Sequence, residues 1–417
     1  MTTQLVHVVE LAMNGRFDEI RDMFAPPLRV MVSADSLKAA WQAETDQHGQ
    51  VTKVGTPTQE QDGVRIPVTF EHGEMTVIVS ATDKGELTGI RLAPTITEQW
   101  EPPPYAMPTE FDEQEVLLGS GPLAAAGTLS MPRQPRPCPA VVLLAGSGPL
   151  DRDETIGRNK PFKDLAWGLA SQGIAVLRFD KVTHAHPDLV VPNREFTATD
   201  EYVPDAQAAV QLLLSQEFVD PKRIFVLGHS LGGTVAPRVA AAEPAVAGMI
   251  IMAGGTQPLH WAAVRQMSYL ASQGPDPDSA KPVIETMTAL ARMVDSPDLS
   301  PSTPDSELPF NVPAQYWLDL RGYRPGALAA TVAKPTLILQ GARDYQVTVA
   351  DDLPEWQTDY PAAEVRIYED DNHMFLSGKG PSTPAEYERV QHVDPAVIKD
   401  IATWLVRGPD HDPSSAA

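Results

Sequence analysis

Short apolar runs, punctuated by turn residues, divide the chain into two stretches with different rhythms. In the first, Gln4 to Phe17 and Ser36 to Glu44 repeat apolar residues at helical spacing. Alternation follows. Val64, Ile66, Val68 and Phe70 share one face of a strand, and Met75, Val77 and Val79 one face of the next, with turns at His72-Gly73 and Asp83-Lys84-Gly85. Pro67 lacks the N–H that a ladder needs, so it predicts an edge strand. Helices followed by an antiparallel sheet predict a small α+β domain over residues 1–97. The stretch Glu101-Pro102-Pro103-Pro104-Tyr105-Ala106-Met107-Pro108 predicts a stiff extended linker, placed at 98–110.

From 111 to 417 the rhythm changes. Phe111 to Leu118 and Ala126 to Met131 read as a strand pair. Apolar strands then alternate with helices: Val141 to Ala145, Ile174 to Phe179, Ile224 to Leu227, Met249 to Ala253, Thr336 to Gln340 and Glu364 to Tyr368. Such alternation predicts an α/β fold with a mostly parallel, doubly wound sheet. Val397, Ile398, Ile401, Trp404 and Leu405 predict a last helix packed on it, and Gly408 to Ala417 a frayed tail. About 80 residues separate the strands ending at Ala253 and beginning at Thr336, too many for a crossover, so a helical cap is expected over about 256–333. Its aromatics Trp261, Tyr316 and Trp317 are candidate substrate-binding residues.

Composition narrows the function. The 417 residues carry a formal charge of −23, which argues against nucleic acid or an anionic membrane as partner. The one cysteine, Cys138, excludes an intrachain disulfide and a cysteine-based zinc site. Met1-Thr2-Thr3-Gln4 opens no signal-peptide pattern, and no run of 18 apolar residues occurs. A soluble cytoplasmic protein acting on a small molecule is expected, with the N-terminal domain as the candidate homo-oligomer surface. His184 and His186 form a metal-like pair without a third ligand, so no metal or other cofactor is expected.

The chemistry sits at Gly228-His229-Ser230-Leu231-Gly232, between the strand Ile224 to Leu227 and a small-residue helical segment. A G-x-S-x-G turn in that context holds a serine in a strained elbow, with glycines where a Cβ would collide. A serine nucleophile needs a base, and the base needs an acid to orient it. In chain order the candidates are Ser230, then Asp344 just past one strand, then His373 in the loop after the next. Asp370 and Asp371 are the rival acids. Oxyanion donors are expected from the N–H of Leu231 and from the loop Gly146-Ser147-Gly148-Pro149, at Ser147 or alternatively Gly148. The charged run Asp151-Arg152-Asp153-Glu154 reads either as a solvated rim or as an anchor for that loop through Arg152.

Four segments carry a family resemblance: Ala145-Gly146-Ser147-Gly148-Pro149 with Asp151-Arg152-Asp153, the elbow, Gln340-Gly341-Ala342-Arg343-Asp344, and Asn372-His373. Together they resemble serine hydrolases of the α/β-hydrolase superfamily, specifically bacterial esterases related to dienelactone hydrolase and the prolyl oligopeptidase group. Ala145 stands where the HGSGP-DRD loop of these relatives has histidine. The element order of the first domain resembles small NTF2-like domains. The family resemblance implies metal-free, esterase-type chemistry through an acyl-enzyme but no particular ester; the leading expectation is hydrolysis of a carboxylic ester or thioester of a small to medium acyl substrate. Peptidase or amidase action, acyl transfer or cyclisation, and a non-catalytic binding role remain as alternatives.

Overall fold

The computed structural model describes residues 2–25, 29, 32–60, 63–82, 84–95, 99–134, 136–274 and 277–408. Met1, Asp83, Pro135, the expected boundary at 97–98 and the tail after Gly408 lie outside them. The chain divides into two compact units, Met1–Gln99 and Trp100–Ala417.

In the first unit, helices Thr2–Met13, Phe17–Asp22 and Ala34–His48 precede strands β1 (Val51–Val54), β2 (Thr58–Glu60), β3 (Gly63–Phe70), β4 (Gly73–Ala81) and β5 (Leu87–Pro94). The helical pattern expected from Gln4 to Phe17 is broken at Asn14-Gly15, where Gly15 takes φ +70 and ends the first helix. The strands form an antiparallel sheet, β1-β3-β4-β5, with β2 also on β3. The alternating residues Val64, Ile66, Val68 and Phe70 are all buried, against Leu5, Val8, Val9, Ile20 and Phe24.

Pro67 corrects the expectation drawn from it. It lies on β3, an interior strand, opposite Thr76 of β4. Its carbonyl accepts from Gly55 N–H, so its nitrogen faces the gap where β1 has ended and β2 has not begun. No ladder bond is lost there, which is why an interior strand tolerates it.

The second unit is built on β6 (Phe111–Leu118), β7 (Ala125–Pro132), β8 (Cys138–Leu144), β9 (Ala175–Phe179), β10 (Val219–His229), β11 (Val246–Met252), β12 (Thr336–Gly341) and β13 (Glu364–Tyr368). Their order is β13-β12-β11-β10-β8-β9-β7-β6. The pairs from β9 through β13 are parallel; β7 runs antiparallel to β6 and β9. This is the α/β-hydrolase fold. Every residue of β8 is buried because both faces are covered. Ala140, Val142 and Leu144 face the core shared with helices Ala198–Leu214 and Leu231–Ala242. Val141, Leu143 and Ala145 face the core shared with helices Pro161–Ala170 and Pro395–Arg407. The period of two thus feeds two layers from one uninterrupted apolar run.

The proline-rich segment after Gln99 belongs to this unit and is docked on it. The Trp100 indole N–H donates to Asp164 at 2.8 Å, and Met107 N–H donates to Ser171 at 2.7 Å.

Between β11 and β12 lie helices Leu259–Gln273, Lys281–Asp295, Ala314–Leu320 and Pro325–Val332. The first three surround a small core of Val294, Leu299, Leu308, Ala314 and Trp317. The fourth carries Ala329 into the sheet core, so it is a sheet-covering crossover helix rather than cap. Among the described residues, no helix is long and apolar enough to cross a membrane.

Candidate active site

The carboxyl ends of β8, β10, β12 and β13 meet along one edge, and the candidate residues follow those ends. Ser230 sits between β10 and the helix Leu231–Ala242 with φ 53, ψ −122. That conformation is costly for a residue with a Cβ. Two close approaches hold it: a Cβ on Gly228 would run into the Gly232 carbonyl, and one on Gly232 would run into the Leu144 carbonyl. Ser230 N–H also donates to Met252 O at 2.9 Å. Leu231 opens the helix, so its N–H has no intrahelical acceptor.

Past β12, Asp344 is buried with every lone pair occupied. Its Oδ1 accepts from the N–H groups of Gln346 (2.7 Å) and Val347 (3.0 Å). Its Oδ2 accepts from Gln340 Nε2 (3.1 Å) and His373 Nδ1 (2.7 Å). Donation from Nδ1 leaves a free lone pair on His373 Nε2. The Asp344–His373 bond is therefore formed. A bond from Ser230 Oγ to His373 is not. The serine and this imidazole are neighbours through His229, whose ring centroid lies 4.7 Å from that of His373.

The rival acids do other work. Asp370 is exposed. Asp371 is fully buried and accepts from the Ser377 hydroxyl, while its Oδ2 has no partner. Burial, with the nearby Asp394 and Asp370, pushes its carboxyl up to about 6. A raised acid binds its proton more tightly folded than unfolded, so this group destabilises the fold above pH 6 and relaxes as pH falls toward 4. Replacing it, Asp371→Asn, is expected to raise Tm at pH 8, with the gain shrinking toward zero at pH 4. Paired thermal melts across that range check this.

Two residues that sequence reasoning passed over complete the site. His229, the variable residue of the elbow, places Nδ1 2.9 Å from Glu154 Oε1 and Nε2 2.9 Å from the His373 carbonyl. A carboxylate and a carbonyl are both acceptors, an arrangement that favours a proton on each ring nitrogen. Burial opposes the charge, but the Glu154 carboxylate holds the His229 pKa above its ordinary value. Glu154, itself at φ 52, also accepts Gly146 N–H at 2.7 Å. One carboxylate thus ties the loop after β8 to the elbow.

That loop matches the anchored reading of the charged run. Arg152 grips Asp180, Glu115 and Thr128, and Asp153 pairs with Arg178 and Lys160. Ser147 and Gly148 stand exposed at its tip, and Gly148 takes φ +90.

The three aromatics of the β11–β12 insertion lie near one another: the Tyr316 and Trp317 rings are 6.4 Å apart, and Trp261 and Trp317 both flank His260. Trp317 is 1% exposed inside the cap core. The Tyr316 hydroxyl is buried and donates to Glu201 at 2.7 Å. The Trp261 indole donates to Asp295 at 2.7 Å. Trp317 is therefore closed off from solvent, whereas Tyr316 and Trp261 are half-buried. His184 and His186 face different carbonyls, Pro149 O and Ala124 O. Cys138 is buried at the start of β8, where burial pushes its thiol up.

The sequence was compared with known proteins. A family model described as serine aminopeptidase, S33 matches residues 154–283. Esterase EstD of Thermotoga maritima is 33% identical over 401 residues, spanning 94% of this chain and 92% of its own. Among solved structures, an acylaminoacyl peptidase from Pyrococcus horikoshii aligns with a TM-score of 0.48 at 13% identity, over 87% of this chain and 57% of that one. The Pyrococcus furiosus esterase Pf2001 aligns at 0.43 and 17%, over 76% and 97%. The match to EstD over nearly the full length of both chains carries the assignment. The chain belongs to the serine-hydrolase family of α/β-hydrolases that includes Esterase EstD.

Proposed function

We propose that this enzyme hydrolyses a carboxylic ester or thioester of a small to medium acyl group through an acyl-enzyme. The observation that carries the reading is the buried 2.7 Å bond from His373 to Asp344, at the same sheet edge as the strained Ser230. As Ser230 Oγ attacks the carbonyl carbon, its proton passes to His373 Nε2, and Asp344 stabilises the imidazolium that forms. The carbonyl π pair becomes an oxyanion, met by the N–H groups of Leu231 and Ser147. Collapse of the tetrahedral adduct breaks the bond to the alcohol or thiol, which leaves with the proton from His373. Water then gives a proton to His373 as it attacks the acyl-serine, and collapse of the second adduct breaks the bond to Oγ, which takes that proton back from His373 as the acid leaves.

The name of the relative, an esterase, supports an ester as the scissile group. The family model, a serine aminopeptidase, favours amide cleavage as the second reading. A panel of p-nitrophenyl esters of increasing acyl length, run beside aminoacyl p-nitroanilides, separates the two. Ester turnover with fluorophosphonate labelling at Ser230 is expected. An unlabelled Ser230 at neutral pH together with no ester turnover overturns the reading.

A further inference from the structure

Behind the loop after β8 lies a buried polar chain that the acyl-transfer scheme does not use. Lys181, just past β9, is 2% exposed. Its ammonium has three acceptors: Gly146 O at 2.8 Å, Tyr202 Oη at 2.9 Å and Glu201 Oε1 at 3.0 Å. The Tyr202 hydroxyl in turn donates to Gly146 O at 2.8 Å. One peptide carbonyl therefore receives two hydrogen bonds, one of them from a cation. On its other side the same residue is held through its N–H by Glu154 at 2.7 Å.

In a trans peptide the C=O and the next N–H lie in one plane and point in opposite directions. The Gly146 carbonyl is fixed inward, onto Lys181 and Tyr202. The N–H of Ser147 must then point outward, to the exposed side of the loop. The loop lies against the nucleophile, because a Cβ on Gly146 would sit 3.2 Å from Ser230 Cβ. A cation on a carbonyl also polarises the whole amide and strengthens its N–H as a donor. Gly148 has no such backing for its own N–H, because the carbonyl that precedes it belongs to Ser147, at the exposed tip.

Resting on the acyl-enzyme reading above, we infer that Lys181 and Tyr202 are positioning residues for the oxyanion. They clamp the Gly146 carbonyl and thereby aim and polarise the Ser147 N–H at the tetrahedral intermediate. They touch no reacting atom. Their effect is confined to the state in which charge sits on the former carbonyl oxygen, so it enters kcat and leaves ground-state binding alone. Glu201 balances the buried ammonium and accepts from Tyr316 of the cap helix Ala314–Leu320, which gives that tyrosine a structural reason for its burial.

The test uses the full-length enzyme with Lys181→Met and Tyr202→Phe, one p-nitrophenyl ester, and a trifluoromethyl ketone that forms a serine-bound oxyanion. Lys181→Met is expected to lower kcat about 10²-fold with KM within about twofold, and to weaken the ketone by the same factor; Tyr202→Phe is expected to cost about tenfold in each. A merely structural loss lowers the active fraction, and so kcat, but leaves the ketone affinity of the surviving molecules unchanged. That outcome overturns the inference, as does wild-type kcat in both variants. If Lys181→Met fails to fold because Glu201 loses its counter-ion, Tyr202→Phe, which keeps the ring and loses one hydroxyl, decides. Absence of fluorophosphonate labelling at Ser230 in the wild-type enzyme is a different failure: it removes the acyl-enzyme reading and the clamp's purpose with it.

Discussion

Ser230→Ala is expected to lower kcat by about four to six orders of magnitude and to abolish fluorophosphonate labelling. The size follows from what remains when Oγ is removed. On the proposed mechanism, the Leu231 and Ser147 donors and the Asp344–His373 bond persist, but no atom is left to form the acyl bond. Water must attack directly, aided only by donors and base, which sustain a residual rate on the order of 10³ to 10⁴ over solution. The substitution shortens a side chain at a turn pinned by Gly228 and Gly232, so the elbow itself is unchanged. KM and Tm are therefore expected to stay near wild type. Steady-state kinetics with intact-mass analysis after labelling check this, and equal rates for variant and wild type would remove the proposed mechanism.

Asp344→Asn is expected to lower kcat about 10⁴-fold at pH 7 without disturbing KM, for a reason specific to this site. Oδ1 accepts two backbone N–H bonds, from Gln346 and Val347. An amide at position 344 must keep its oxygen there, because an NH₂ group would face two donors. The NH₂ is then forced into the place of Oδ2, against His373 Nδ1. The imidazole can only accept from it, so its proton moves to Nε2, the nitrogen that should receive the serine proton. The base becomes a donor. The same NH₂ also meets Gln340 Nε2, so some loss of stability accompanies the loss of rate. The pH–rate profile and a thermal melt separate the two effects, and a variant with kcat near wild type would show that Asp344 does not set the tautomer.

Much of the site was legible because its chemistry is tied to strand ends. Asp344 and His373 each follow an apolar run by a few residues, and a parallel sheet brings such ends to one edge. The doubly wound sheet was legible for a related reason: β8 is apolar throughout, and only a strand covered on both faces reads that way. Lys181 carries a signal of the same kind, a charged residue at the carboxyl end of β9, but beside Asp180 nothing along the chain distinguishes it from a solvated pair. Glu154 lies in the charged run and His229 in the elbow, but nothing along the chain pairs the two. The role of Glu154 depends on a backbone at φ 52 and on partners distant in sequence. Tyr316 and Trp317 show the limit of helical spacing, which marks a buried face without saying whether a ligand or a neighbouring helix covers it. Pro67 shows a limit of alternation, since a gap in a neighbouring strand is invisible along the strand itself.

The imidazole at position 229 is bolted at both ends, to Glu154 on one side and to the backbone of His373 on the other. The elbow and the loop that carries His373 are therefore joined through one side chain as well as through the sheet. On the proposed mechanism, the two segments that exchange a proton are tied to each other by a ring that takes no part in the transfer.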